Sequence, residues 1–323
     1  MNPFVRFVLA AFLLGSSARW SQAAESLFDP SFRLDPAVSG QLETVRVRPD
    51  GRLLVGGKLT LNQNTRALLV QLLPDGTLDP EFESLAIHWF DPYGPQPVEV
   101  LPLADGRILV AYSRWSPEST NPVDSSIYLL SADGRNRAPW LGLRAPVRLT
   151  QTREGHVMVW GREVWTESTA SFSRAFLQRR TLSGEVDESF SLTGLNGQST
   201  ERVSTGQGIA SLAECANGDF LLSGSLGWWG QPEGESLPFL TRISPQGRRI
   251  WLSSRRYVRD LEISVHEGAR GQVLYSSPVD GVVRLEADGQ MSATPWKPPI
   301  VNPSASMVLR DGRWLLAGRF PAV

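Results

Sequence analysis

The chain has 323 residues, 41% of them hydrophobic and 20% charged, with 29 Gly and 23 Pro; this is the composition of a turn-rich globular protein and excludes a disordered one. Its 32 basic and 33 acidic side chains nearly cancel, so no general field draws in nucleic acid or anionic lipid, and neither is expected as a partner. Cys215 is the single cysteine, which excludes an internal disulfide and leaves stability to the core.

Residues 1–24 read as a signal peptide. Arg6 lies in a short n-region, Phe7 to Leu14 form an apolar run, and Ser21-Gln22-Ala23 places small residues before a cleavage point after Ala23 or Ala24. The run is too short to span a bilayer, and no later apolar stretch is long enough for a transmembrane helix. The mature chain, 25–323, is therefore expected to be secreted, periplasmic or in the cell envelope, with no membrane span. No Asn-x-Ser/Thr acceptor occurs, since Asn302-Pro303-Ser304 is excluded by its proline, which fits a bacterial exported protein.

From residue 45 onward the sequence repeats itself. An apolar strand, a polar-Gly turn and a second apolar strand read Val45-Arg-Val-Arg-Pro-Asp-Gly-Arg-Leu-Leu-Val-Gly-Gly57 and then Val98-Glu-Val-Leu-Pro-Leu-Ala-Asp-Gly-Arg-Ile-Leu-Val110. Further copies run over 150–161, 213–224, 263–275 and 307–318. A second hairpin falls between them, at Leu72-Leu-Pro-Asp-Gly-Thr-Leu-Asp79, 129–134, 182–187, 243–247 and 285–289. Asp-Gly in such places is turn chemistry: a two-residue hairpin needs φ > 0 at both central residues, which Asp/Asn-Gly tolerates. The first-hairpin glycines at 51, 106, 155, 218, 271 and 312 are 41 to 63 residues apart, room for about four short strands per unit. No sustained 3.6-residue apolar period occurs outside the leader, so few helices are expected.

The pattern Pro49-Asp-Gly-Arg-Leu-Leu-Val-Gly-Gly57 followed by Pro74-Asp-Gly-Thr-Leu-Asp-Pro-Glu-Phe82 resembles the delta-60 repeat, a bacterial β-propeller repeat family of unknown function. Phe28-Asp-Pro-Ser-Phe32 and Gly184-Glu-Val-Asp-Glu-Ser-Phe190 resemble further copies of its ending, which repeats two, four and five lack. The resemblance implies a propeller, often in a secreted protein, and carries over no catalytic residues. The fold class expected is all-β, a single β-propeller of four-stranded blades. Six blades are favoured: five complete repeats, a C-terminal half repeat, and a strand near 27–32 that closes the ring. Seven blades or a truncated ring are the alternatives.

Phe82, Trp140 and Phe190 lie six residues after their second-hairpin glycines, with looser equivalents at Trp251 and Trp296; such periodic aromatics are expected between sheets. Trp115, Trp165, Trp228 and Trp229 differ. They follow the first-hairpin glycine by nine to eleven residues in three consecutive repeats, among polar Pro-, Ser- and Gly-rich loops, and are the candidate binding residues for a sugar or protein surface. Arg248, Arg249, Arg255, Arg256 and Arg259 form the densest basic stretch, with Asp260 and Glu262 beside them, and read mainly as a solvated run.

His88, His156 and His266 fall in no metal-ligand spacing, and there is no nucleophile elbow. Asp75 with Asp79, and Glu185 with Asp187, lack the full oxygen set of a calcium loop. No metal, cofactor or catalytic residue is assigned. The leading expectation is a monomeric, non-enzymatic binding or scaffolding propeller whose partner is a glycan or protein at the cell surface. A polysaccharide-acting enzyme and a purely structural surface protein are the alternatives.

Overall fold

The computed structural model describes residues 31–62, 64–86, 96–115, 122–143, 147–167, 170–192, 208–225, 240–252, 264–267, 271–277, 281–290, 301–308 and 314–319. The leader, the segment 27–30 and the turn at Gly312 lie outside them. No α-helix occurs among the described residues, and none of their segments is a helix long and apolar enough to cross a membrane. The contacts divide the chain into two compact units, Met1–Gln151 and Thr152–Val323.

The first unit holds β1 Val38–Val47, β2 Leu53–Leu61, β3 Thr65–Leu72 and β4 Leu85–Ala86 in one antiparallel sheet of that order. A second sheet repeats the arrangement with β5 Gln96–Pro102, β6 Ile108–Trp115, β7 Pro122–Leu130 and β8 Arg137–Leu143. The last strand of the unit is β9 Val147–Gln151. In the second unit, β10 Val157–Glu167 and β11 Ala170–Arg180 form a long hairpin. A four-stranded sheet follows, of β12 Gly208–Glu214, β13 Phe220–Ser225, β14 Leu240–Ile243 and β15 Arg249–Leu252. After it come β16 Ser264–Glu267, β17 Val273–Ser277 and β18 Gly281–Leu285 in one sheet, then the pair β19 Val301–Val308 and β20 Trp314–Arg319. Every registered pairing is between sequence neighbours and antiparallel, the up-and-down meander expected of each repeat.

The middle strands are buried on both faces, which is why they read as continuous apolar runs rather than as alternations. In β2, Leu53, Leu54 and Val55 are all buried, and in β3 so are Leu68, Leu69 and Val70. Period-two geometry sends them to opposite sides. Leu53, Val55, Val70 and Leu72 pack on one face with Phe32, whereas Leu54 and Leu69 pack on the other with Phe82, Val100, Ile108, Val110 and Leu130 of the next sheet. In the second unit Met158, Trp160 and Leu177 meet Ile209, Phe220 and Leu222 around Phe190, and Cys215, Leu221 and Leu240 meet Val265, Val273 and Leu285. Within each unit these sheets therefore pack face to face, each aliphatic side chain so buried contributing about 1.5–3 kcal/mol.

The turns differ in detail from the two-residue hairpin expected. Gly51 N–H donates to the Arg48 carbonyl and Arg48 N–H to the Arg52 carbonyl, both at 2.9 Å. The same bond pair recurs at 73–77, 103–107, 152–156, 181–185, 215–219, 244–248 and 286–290. Only the glycine takes positive φ, 88° at Gly51 and 74° to 93° at its counterparts, and none of the preceding Asp or Asn residues does. This is a three-residue loop, a type I turn closed by a left-handed glycine bulge. The Asp contributes through its side chain instead, as the bonds below show.

Candidate functional site

The candidates divide between the two ends of each meander. At the end carrying the Asp-Gly hairpins, each carboxylate or amide Oδ1 accepts the N–H two residues on: Asp50 from Arg52 at 3.1 Å, Asp75 from Thr77 at 2.9 Å, Asp105 from Arg107 at 3.0 Å, Asp133 from Arg135 at 3.1 Å and Asn217 from Asp219 at 3.2 Å. The neutral Asn217 doing the same work marks this as turn chemistry. A side-chain bond from Thr77 holds the Asp75 carboxyl below its ordinary range, Arg107 does so for Asp105, and Ser131 for Asp133.

Consecutive hairpins are tied to one another by side chains that reach backbone groups. Gln151 Oε1 accepts Ala104 N–H at 2.8 Å, Glu214 Oε2 accepts Arg153 N–H at 2.9 Å, and Glu267 Oε2 accepts Ala216 N–H. Each acceptor stands four residues before its own turn glycine, and each donor two residues before the preceding one. The first repeat has Pro49 at the donor position, and the second has Pro102 at the acceptor position. Where proline removes the N–H, the acceptor is gone too. Buried arginines add further ties. Arg48 donates to Gln71 Oε1 at 2.6 Å and to the Ala132 and Gly106 carbonyls at 2.8 and 3.2 Å, and Gln71 in turn donates to Asp79 at 2.7 Å. Arg179 donates to Asp187 at 2.7 Å and to the Pro245 carbonyl at 2.6 Å. Arg242 donates to Asp219 at 2.8 Å and to Asn217 at 3.0 Å. Asp79 and Asp187, weighed above as calcium ligands, are thus occupied by side-chain donors. No group of three or more metal-ligating side chains occurs among the described residues.

Of the aromatic positions read as interior, the two phenylalanines are so placed, while Trp140 and Trp251 are only partly buried. Phe82 and Phe190 are buried between sheets, and Phe190 meets Phe220 edge-on at 6.4 Å beneath the Arg179 guanidinium at 5.2 Å. They also grip the following second hairpin. Glu83 N–H donates to the Asp133 carbonyl and Ser191 N–H to the Gln246 carbonyl. Trp251 Nε1 donates to the Ala287 carbonyl at 2.9 Å with its ring over Gly289. Phe32 belongs to this series, since Arg33 and Asp35 donate to the Asp75 and Gly76 carbonyls. Trp140 is half-buried, and Trp296 lies outside the described residues.

Two of the candidate binding residues lie on strands toward the opposite end. Trp115 ends β6 in register with Pro122, and Trp165 lies on β10 in register with Phe172; Trp228 and Trp229 lie outside the described residues. The connections at this end vary in length, running over 62–64, 116–121, 168–169, 226–239 and 278–280. Of the basic run, Arg248 and Arg249 are exposed, and Arg255, Arg256 and Arg259 lie outside the described residues, as does His88. His156 Nε2 stands 3.3 Å from Asp187, and His266 lies on β16. The ties between hairpins were not foreseen; the paired Pro49 and Pro102 were the signal that would have shown them.

The residues so far define an all-β repeat protein in which four-stranded antiparallel meanders recur, with consecutive hairpins tied together within each unit. Residues 48–82 match the family described as "Domain of unknown function (DUF5122) beta-propeller". No curated protein matches the chain. Among solved structures, the chain is similar to a protein of unknown function from Bacteroides caccae, at 15% identity and TM-score 0.43 over 82% of this chain and 81% of that one. It is similar to the WD40 beta propeller domain of Doa1 at 10% identity and TM-score 0.47, over 86% and 76% of the two chains. An alpha-L-arabinanase from Penicillium chrysogenum, solved with arabinobiose, is similar at 17% identity and TM-score 0.48 over 90% and 91%.

Proposed function

We propose that the chain is an exported, monomeric β-propeller of the delta-60 type, with six blades of which the last is closed by the N-terminal strand, and that it acts as a non-enzymatic binding or scaffolding module at the cell surface. One observation carries this reading: the two ends of the meanders differ in kind. The hairpin end is closely repeated: eight described turns share one closing bond pair, the turn at 131–136 being one residue longer, and side chains there tie consecutive hairpins together. The other end departs from the repeat in length and composition, and loops so freed from structural duty are where binding residues accumulate. In the sequence, Trp115, Trp165, Trp228 and Trp229 fall in or beside these variable connections, and an indole is a flat apolar surface of the kind that sugar rings and protein partners stack on. The enzymatic alternative is less well supported, because the first-strand carboxylates Glu99, Glu214 and Glu267 all accept bonds from arginine or backbone donors.

A glycan array probed with the chain, and repeated with all four tryptophans changed to alanine, tests the reading. Saturable binding to at least one glycan that weakens by about tenfold or more in the variant is the expected outcome. Binding that survives the four substitutions undiminished would place the site elsewhere, and an array without a reproducible hit would leave the structural role in its place.

A further inference from the structure

One charged cluster is absorbed neither by the turns nor by the ties between hairpins. The first strands β1, β5 and β9 of the first unit bring together Arg46, Glu99 and Arg148, from positions 53 and 49 residues apart. Arg46 Nη2 donates to Glu99 Oε1, and Arg148 Nη1 lies 3.4 Å from Glu99 Oε2. The carboxylate side chain is 4% exposed, while those of Arg46 and Arg148 are 42% and 51% exposed. Arg46 Nη1 also donates to the Val45 carbonyl at 3.1 Å. The remaining guanidinium N–H groups of the two arginines have no acceptor among the described residues.

The charge arithmetic is unlike that of the other buried arginines. Arg48, Arg179 and Arg242 are each almost wholly buried and spread over two or more acceptors. Here two cations share one anion, so the cluster keeps a net charge of +1, and both cations reach solvent. Glu99 offsets the repulsion between guanidinium groups drawn to a single carboxylate and fixes their orientation. Seven residues before the turn glycine stand Thr44, Glu99, Arg148, Ser211 and Ser264, and only the sixth copy has an apolar residue there, Ala305. Thr44 is buried, and its hydroxyl has no partner among the described residues.

We propose that Arg46 and Arg148, held on Glu99, form a binding site for a carboxylate group carried by an acidic sugar. A planar carboxylate matches the fork of an arginine and its single charge matches the site's surplus. A dianionic phosphate would be opposed by Glu99 beneath it. The sugar as carrier rests on the glycan-binding reading above, whereas the anion site does not, and it involves none of the loop tryptophans.

Titration calorimetry of the chain with oligogalacturonate, with sodium acetate and with a neutral malto-oligosaccharide separates the two. Oligogalacturonate is expected to bind, and R46Q or R148Q to weaken it by about tenfold, the loss of one charge-assisted bond. A merely structural ion pair would in R46Q and R148Q move the melting temperature and leave anion affinity untouched. Acetate competing with oligogalacturonate locates recognition in the carboxylate. Oligogalacturonate affinity unchanged in both arginine variants, or no binding up to about 10 mM, overturns the site, and neither result bears on neutral-sugar binding through the tryptophan loops.

Discussion

At Gly134 the backbone sits at φ +75°, and a Cβ there would lie 2.4 Å from the Glu83 carbonyl oxygen and 3.0 Å from the Phe82 ring. Gly155 takes φ +89° with nothing within 4 Å of the same point. Left-handed backbone costs an L-residue about 1–2 kcal/mol, so Gly155→Ala is expected to lose about that much. Gly134→Ala adds a collision with backbone and should lose about 1–3 kcal/mol more, measured as the difference between urea midpoints at unchanged m. Equal losses would mean that the Phe82 segment does not seat on this turn. The glycine and its aromatic neighbour were both legible in the sequence as periodic features, because each repeat needs them at one spacing. That the ring of one repeat covers the glycine of the next was not, since the pair is 52 residues apart.

Hairpins tied in series are the next scale. Gln151 caps the Ala104 N–H, and Gln151→Ala should cost about 0.5–1.5 kcal/mol. Ala104→Pro should be tolerated, since proline suits the first central position of a type I turn and Pro49 already occupies it in the first repeat. In the Ala104→Pro background the N–H is gone, and Gln151→Ala should lose most of its cost. A double-mutant cycle by chemical denaturation reads the coupling directly; strictly additive losses would refute the tie. The existence of each hairpin was legible from Asp-Gly between apolar runs. Its type was not: Asp-Gly serves a two-residue turn and a bulged three-residue one equally well, and the choice falls to the strand register on either side, which closes 48 against 52.

For the whole molecule, opposing titrations bracket a range of stability. Asp35 is held below the ordinary value of 3.8 by the Leu78 and Ala37 N–H groups, Asp75 by Thr77, Asp105 by Arg107, Asp133 by Ser131 and Asp187 by Ser189. Each therefore binds its proton more weakly in the folded chain than in the unfolded one. The stability they lend is complete above 3.8 and drains away as pH falls through their lower folded values. Cys215 acts at the other limit: burial pushes its thiol up from 9.0 to about 12, so its contribution is complete below 9.0 and is lost as pH rises toward 12. The melting temperature is expected to be level between about pH 5 and 8, to fall on further acidification, and to fall again in alkali, the alkaline decline being shallower in Cys215→Ala. A melting temperature that rises as pH drops through the carboxylate range would contradict the turn network.

The repeated hairpins, their all-β class and the aromatic spacing were determined by the sequence alone. Each depends on residues close together in the chain, where turn chemistry and strand alternation act directly. Which carboxylate caps which N–H, which carbonyls the buried arginines reach, and that Arg46 and Arg148 converge on Glu99 were decided only by the tertiary structure. Those pairs lie tens of residues apart, and only the face-to-face stacking of successive sheets brings their strands within the reach of one side chain.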